Sequence, residues 1–175
     1  MSAEDRRRHK AHLDQHIRDA QGEYHYVGDW YAVSGGWRAL LPFTVWSVMA
    51  AGAVIGAGCV PFDGLKNTWY VILPYALTIS MVFLLGFNGV RLVSDGGRLK
   101  AFLWEKVRER IVPIAGFLIF FDLLTGVTGL VFLLRRGSEQ YIAFYALLVL
   151  AALSAFFALR AFRKQSWSKE SQAGE

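Results

Sequence analysis

A single carboxylate, Asp122, stands in the middle of the apolar run at residues 111–134. Fourteen of the 22 residues from Pro113 to Leu134 are Leu, Ile, Phe or Val. On a membrane-insertion scale these residues favour insertion by about 4–8 kcal/mol, and one central Asp opposes insertion by about 3 kcal/mol. The run is therefore expected to cross a bilayer despite its acid. Because ionisable side chains inside membranes are costly and commonly functional, Asp122 is the candidate site for proton or cation chemistry.

Hydroxyl side chains are the expected neighbours of this carboxylate. A rotation of 100° per residue places Asp122 on the side of its helix that carries small residues, with bulky residues on the opposite side. No Lys, Arg or His lies at the same depth, so the candidate partners are Thr125 on the same helix and Thr78, Ser80 and Ser154 on other helices. An unpaired acid in such surroundings is expected to hold its proton at rest. Asp122 is then either a packing contact between helices or a protonatable site.

Four apolar runs predict an all-α integral membrane protein, with four transmembrane helices in an antiparallel bundle. The spans are expected at residues 37–60, 67–92, 111–134 and 140–162. They form a transmembrane domain at 37–164, between a polar and aromatic segment at 1–36 and a disordered tail at 165–175. In span one, Gly52 and Gly56 have the GxxxG spacing that predicts close helix packing within the bundle.

Composition narrows the class of protein. The 175 residues are 54% hydrophobic and 19% charged, which fits one domain whose charges are segregated from long apolar runs. The net charge of +5 comes from basic residues that flank these runs, so it indicates anionic lipid headgroups rather than nucleic acid. The single cysteine, Cys59, excludes an internal disulfide and Cys-pair redox chemistry. The first 36 residues contain no apolar core of signal-peptide length, so span one is expected to act as the insertion signal.

The distribution of basic residues predicts the orientation. Of the 19 Lys and Arg, six lie at or before the start of span one, six from the end of span two up to span three, and four from the end of span four onward. These sixteen are on the side of both termini, and the remaining three are on the other side. The positive-inside rule then places both termini in the cytoplasm.

The segment ahead of span one is polar and then aromatic. Residues 1–21 predict an exposed helix or a frayed terminus, and His9, His12 and His16 would share one face of that helix. Without a third ligand fixed nearby, no metal site is predicted. Residues 22–37 suit a short hairpin, an irregular aromatic anchor at the membrane interface, or a ligand-binding strand.

The loop between spans two and three predicts a basic amphipathic helix at residues 98–110. Its apolar positions recur at helical spacing, and basic residues fill most of the others. Such a helix is expected to lie along an anionic leaflet before the chain turns into span three. The expected lipid-surface contacts are Lys100, Phe102, Leu103, Lys106 and Arg108. The rival interpretation is a helix that docks with a partner protein.

Two aromatic stretches, EYHYVGDWY and WYVILPYAL, resemble a family of small bacterial membrane proteins. Members of that family have four spans and a Tyr-rich cytoplasmic lead-in, and they have no characterised activity. The resemblance covers mainly residues 23–92. It implies the same architecture and a bacterial cytoplasmic membrane.

The side-chain inventory disfavours an intramembrane enzyme. All four histidines precede residue 26, and one cysteine cannot support thiol oxidation. No cofactor and no metal are predicted. We expect an accessory or regulatory membrane protein that packs against other membrane proteins, as a homo-oligomer or within a larger complex. The alternative is a small oligomeric transporter or ion-conducting protein, in which two copies bring two Asp122 side chains to one pathway.

Overall fold

The computed structural model describes residues 16–18, 24–26, 29–94, 96–136 and 142–170. Four of its helices are long and apolar enough to cross a membrane. These segments are Gly36–Cys59, Trp69–Ser94, Leu103–Arg135 and Ile142–Arg163. The prediction of a helical membrane protein with four spans is confirmed.

The helices follow the apolar runs with few interruptions. A 3-10 turn at Gly36–Leu40 leads into α1. The helices are α1 (Leu41–Cys59), the short α2 (Asp63–Asn67), α3 (Trp69–Ser94), α4 (Ala101–Arg136) and α5 (Ile142–Arg163). Pro42 lies in the first turn of α1, where its missing N–H has no partner to lose.

Helices α1 and α5 pack antiparallel through buried alanines. The buried alanines are Ala50, Ala53 and Ala57 on α1 and Ala151, Ala155 and Ala158 on α5. Near one end of this contact, the rings of Trp46 and Phe157 stack with centroids 4.9 Å apart. The predicted glycine face is wrong at Gly52, because a Cβ built there meets nothing within 4 Å. Gly56 does face α5, since a Cβ built there would lie 3.5 Å from the Leu147 side chain.

The outward side of the bundle is apolar, as a lipid-facing surface should be. On α4, the bulky residues assigned to lipid from the helical period are exposed: Phe117, Phe120, Leu124, Val127 and Val131. Ala115 and Thr125, on the opposite side of α4, are fully buried.

A separate interfacial helix does not form between spans two and three. Residues Arg98–Lys100 are a strand, and α4 then runs without a break for 36 residues. At 1.5 Å per residue this helix is about 54 Å long, well beyond the roughly 30 Å of a hydrocarbon core. The apolar stripe of its first turns, at Trp104, Val107 and Ile111, is buried in the protein core. Because that stripe finds protein partners, it does not need a lipid surface.

A three-stranded antiparallel sheet, which the sequence did not predict, joins distant parts of this mostly helical chain. Its central strand β3 (Trp30–Val33) pairs with β4 (Arg98–Lys100) on one side and β5 (Trp167–Glu170) on the other. Tyr31 lies opposite both Leu99 and Lys169. The predicted disordered tail is therefore wrong at residues 167–170. Strands of three or four residues are too short for the alternation of side chains to reveal them.

The polar start of the chain also contains strands. Strand β1 (His16–Arg18) pairs with β2 (Tyr24–Tyr26) in a separate two-stranded sheet, so the helix expected over residues 1–21 is wrong at 16–18. The predicted aromatic hairpin is replaced by this pair and by the three-stranded sheet. His9 and His12 lie outside the described residues.

Gly97 allows the chain to turn tightly into β4. Its φ of 79° lies in the left-handed region that favours glycine. The Val33 N–H donates a 3.0 Å hydrogen bond to the Gly97 carbonyl oxygen. A Cβ on Gly97 would lie 2.8 Å from Val33 Cγ1 and 3.2 Å from the Trp37 backbone nitrogen. Only glycine therefore brings this loop against β3 without strain.

Candidate functional site

Asp122 lies inside the bundle, on the inward side of α4. Its side chain is 2% exposed. The buried Oδ1 atom accepts no hydrogen bond from any described residue. A buried polar atom without a partner commonly costs about 1–3 kcal/mol. The structure therefore places this acid where it weakens the fold.

The predicted hydroxyl partners do not form a hydrogen-bonded cluster around Asp122. Thr78 Oγ1 donates to the Pro74 carbonyl at 3.0 Å, and Thr125 Oγ1 donates to the Phe121 carbonyl at 2.8 Å. Each hydroxyl is thus satisfied by its own helix, as is common for Thr and Ser in helices. Two other hydroxyls differ in location: Ser80 is exposed on the outer surface, and Ser154 is buried. The buried Ser154 Oγ bonds to no described atom.

Tyr75 is a buried polar side chain of the bundle interior that the sequence did not single out. Its hydroxyl links two helices of the bundle. That hydroxyl donates a 2.6 Å hydrogen bond to the Val54 carbonyl oxygen on α1. A Cβ on Gly58 would collide with the same hydroxyl, so glycine is required there.

An aromatic cap covers one end of the bundle interior. Phe62, between α1 and α2, is 1% exposed and stacks on Phe144 with centroids 4.5 Å apart. The rings of Phe62 and Phe132 pack edge to face, with centroids 5.6 Å apart. Gly129 also lies under Phe62, seven residues and about 10 Å of helix beyond Asp122. The chain's own helices and this cap therefore enclose the acid.

A second feature lies where the sheet meets the ends of α4 and α5. A cavity of about 450 Å³ opens there. It is lined by Tyr31, Trp104, Arg108, Val112, Phe162, Arg163, Gln165 and Trp167. Of the predicted lipid-surface residues whose side chains the structure describes, only Arg108 lines it.

The other predicted lipid-surface residues occupy different environments. Lys106 is exposed, whereas Leu103 is half-buried and packs against the core. Lys100 Nζ lies 5.9 Å from the centroid of the Trp30 ring, a cation–π distance. The side chain of Phe102 lies outside the described part of the structure.

Ion pairs hold the edges of the three-stranded sheet. Lys169 Nζ lies 2.7 Å from an Asp29 carboxylate oxygen, and Arg98 Nε lies 3.8 Å from Glu170. The hydrogen bond and negative charge of Asp29 raise the pKa of Lys169 above its ordinary value. Both pairs are exposed to solvent, so each contributes little to stability.

Within the described ranges, no group of three His, Cys, Asp or Glu side chains could hold a metal ion. No protein-family model, curated protein or solved structure matches this chain. The candidate functional regions of the molecule are therefore the interior around Asp122 and the sheet end.

Proposed function

We propose that the chain is a non-enzymatic, multi-pass protein of the bacterial cytoplasmic membrane, an accessory or regulatory component that packs against other membrane proteins. The three-stranded sheet is the observation that carries this proposal. It links the segment before α1, the start of α4 and the segment after α5. A partner that binds this sheet would therefore act on three spans at once.

The edges of the sheet are suited to contact with another protein. Strands β4 and β5 are the two edge strands of the sheet, and the side chains at 168–170 of β5 are exposed. Edge strands present unpaired backbone groups that can pair with an added strand. The excess of basic residues at this end supports its placement in the cytoplasm.

Site-specific photo-crosslinking in native membranes tests the accessory role. A photoreactive residue at Ser168, on β5, should give a discrete adduct with a larger membrane protein. The same residue at Val48, which is 65% exposed on the outer side of α1, serves as the lipid-facing control. The Ser168 adduct should disappear when Gly97→Ala distorts the sheet and persist with Gly96→Ala, whose Cβ meets nothing within 4 Å. If the adduct still formed in the Gly97→Ala variant, docking through the sheet would be contradicted.

Thiol labelling of intact cells tests the orientation. Cys59 ends α1 and is exposed, so a membrane-impermeant reagent should reach it from outside. A cysteine introduced at Ser94, the last residue of α3, should stay protected until the membrane is opened. Labelling of position 94 in intact cells would show that the orientation is the reverse of the one proposed.

A small transporter or ion-conducting oligomer is the second candidate, and the buried Oδ1 of Asp122 favours it. An acid kept where it accepts no hydrogen bond from the described residues is a suitable proton carrier. Its enclosure within one chain requires the helices to open before a second copy could share it. Transport assays in proteoliposomes with a pH gradient test this candidate function. Asp122→Asn should abolish proton-coupled cation flux, whereas Thr125→Val should retain it. Absence of flux in the unmodified protein would rule this candidate out.

A further inference from the structure

The cavity at the sheet end has one wall of stacked aromatic rings. The ring of Trp104 lies 4.0 Å from Trp167 and 6.1 Å from Tyr31, centroid to centroid, and both pairs stack. Phe162 tilts against Trp104 at 6.1 Å. These rings come from β3, α4, α5 and β5, so the folded sheet is required to assemble the wall. Such a surface favours the apolar part of a ligand.

Two arginines face the same cavity with their charges uncompensated. Arg108 and Arg163 are both exposed, and neither forms an ion pair with a described residue. The sheet's carboxylates are engaged elsewhere, Asp29 with Lys169 and Glu170 with Arg98. Two unpaired guanidinium groups at one cavity favour an anion, and their fork of N–H groups matches a phosphate.

Two other polar groups of the lining are not open to a ligand. The Trp167 Nε1–H is enclosed by protein and donates to no described atom. Gln165 Nε2 is already used, because it donates to the Ala39 carbonyl at 2.6 Å. Recognition of an anion therefore falls to the two arginines.

The position of the cavity indicates where such a ligand comes from. Arg108 lies three residues before Ile111, where the apolar run of span three begins, and Arg163 is the last residue of α5. Val112 and Phe162, on the apolar side of each arginine, line the same cavity. The arginines therefore lie at the boundary between the apolar spans and the polar end. Lipid phosphates occupy that level of a bilayer.

We propose that this cavity binds the phosphate group of one anionic phospholipid, between Arg108 and Arg163. The glycerol end of the lipid lies against the aromatic wall, and its acyl chains continue along α4 and α5. A free phosphate ester shares the same recognised group, and it differs in lacking the acyl chains. The site requires membrane insertion but not a protein partner, so it can exist whether or not the accessory role holds.

Native mass spectrometry of the purified full chain tests the site with phosphatidylglycerol as the probe. The unmodified protein should retain one phosphatidylglycerol in preference to phosphatidylcholine. The double variant Arg108→Gln, Arg163→Gln should bind it about tenfold more weakly or worse, since two charge-assisted contacts are lost. The matched control Arg110→Gln, Lys164→Gln removes the same charge from exposed neighbours that do not line the cavity. It should bind as the unmodified protein does.

A second variant keeps the test valid if the double Gln change impairs folding. Arg108→Lys, Arg163→Lys retains both charges but removes the planar fork, so it should still bind phosphatidylglycerol several-fold more weakly. If the cavity and control variants lost the same amount of phosphatidylglycerol binding, the effect would come from the overall positive charge of this end. That result would overturn the site. Unchanged binding in either cavity variant would do the same. Glycerol 3-phosphate that binds as tightly as phosphatidylglycerol would overturn the lipid as the source.

Discussion

Ionisable side chains lie in two contrasting regions of this molecule, one open to solvent and one enclosed by protein. At the sheet end, Arg108 and Arg163 stay exposed at the edge of an aromatic cavity. In the bundle interior, Asp122 is 2% exposed and lies beyond the cap formed by Phe62. The arginines keep their hydration and can exchange water for a ligand. The acid has lost its hydration, and its Oδ1 gains no hydrogen bond from the described protein in return.

This difference separates two ways in which a small membrane protein can carry function. A charge at the boundary costs little to keep and is open to partners and lipids. An acid sealed in the interior without a hydrogen-bond partner for its Oδ1 lowers stability, so its presence indicates a role that stability alone does not explain. The following substitutions change one region at a time.

The largest expected loss of stability comes from the turn into β4. Gly97→Ala should lower the free energy of unfolding by about 3 kcal/mol, because it adds a left-handed-backbone penalty to a collision with Val33 and Trp37. Gly96 also has a positive φ, of 65°, but open space around its Cβ. Gly96→Ala should therefore cost about 1–2 kcal/mol. Thermal unfolding in mixed micelles measures both, and equal losses would show that the contact with β3 is unimportant.

The cap over the interior should be the next most sensitive. A Cβ on Gly64 would lie 2.6 Å from the Phe62 ring, so Gly64→Ala should destabilise by about 1–3 kcal/mol. Gly52→Ala, into open space on α1, is the control and should be neutral or slightly stabilising. The same unfolding assay applies. A neutral Gly64→Ala would mean that Phe62 can leave its position without cost.

Removal of the buried acid should stabilise the protein. Asp122→Leu replaces an unsatisfied oxygen with an apolar side chain and should raise the free energy of unfolding by about 1–2 kcal/mol. Thr125→Val removes a hydroxyl that its own helix satisfies, and it should change stability by less than about 1 kcal/mol. A clear loss of stability in Asp122→Leu would show that the carboxyl has a strong partner.

The smallest effect concerns the ion pair between Lys169 and Asp29. Because the pKa of Lys169 is raised in the folded protein, its contribution to stability is fully present below the ordinary lysine pKa. It is lost as the pH rises through the raised value. Lys169→Gln should therefore flatten a small alkaline decline in stability, measured as melting temperature against pH. An equal alkaline decline in Lys169→Gln would assign it to another group.

The sequence predicted the spans well because each span is one continuous run of apolar residues, and such a run can be recognised in the sequence alone. The expected span at 111–134 lies within the observed Leu103–Arg135, and the lipid-facing side of α4 follows from its helical period. Pairing between distant residues is not visible in such patterns. Strand β5 lies 134 residues or more after β3, and four residues carry no clear period. The same limit concealed the hydrogen bond from Tyr75 to Val54 and the place of Trp167 in the cavity wall.

A disulfide across the sheet gives the most direct test of how the polar end is assembled. Ala32 and Ser168 are direct partners on β3 and β5. In a Cys59→Ala background, Ala32→Cys with Ser168→Cys should form an intramolecular disulfide upon mild oxidation of native membranes. Ala32→Cys with Glu170→Cys, two residues out of register, should form it far more slowly, because diagonal neighbours lie about 7–8 Å apart. Reduced thiols in the first pair under oxidation, or equal rates in both pairs, would contradict a sheet that joins the chain's two ends at the membrane.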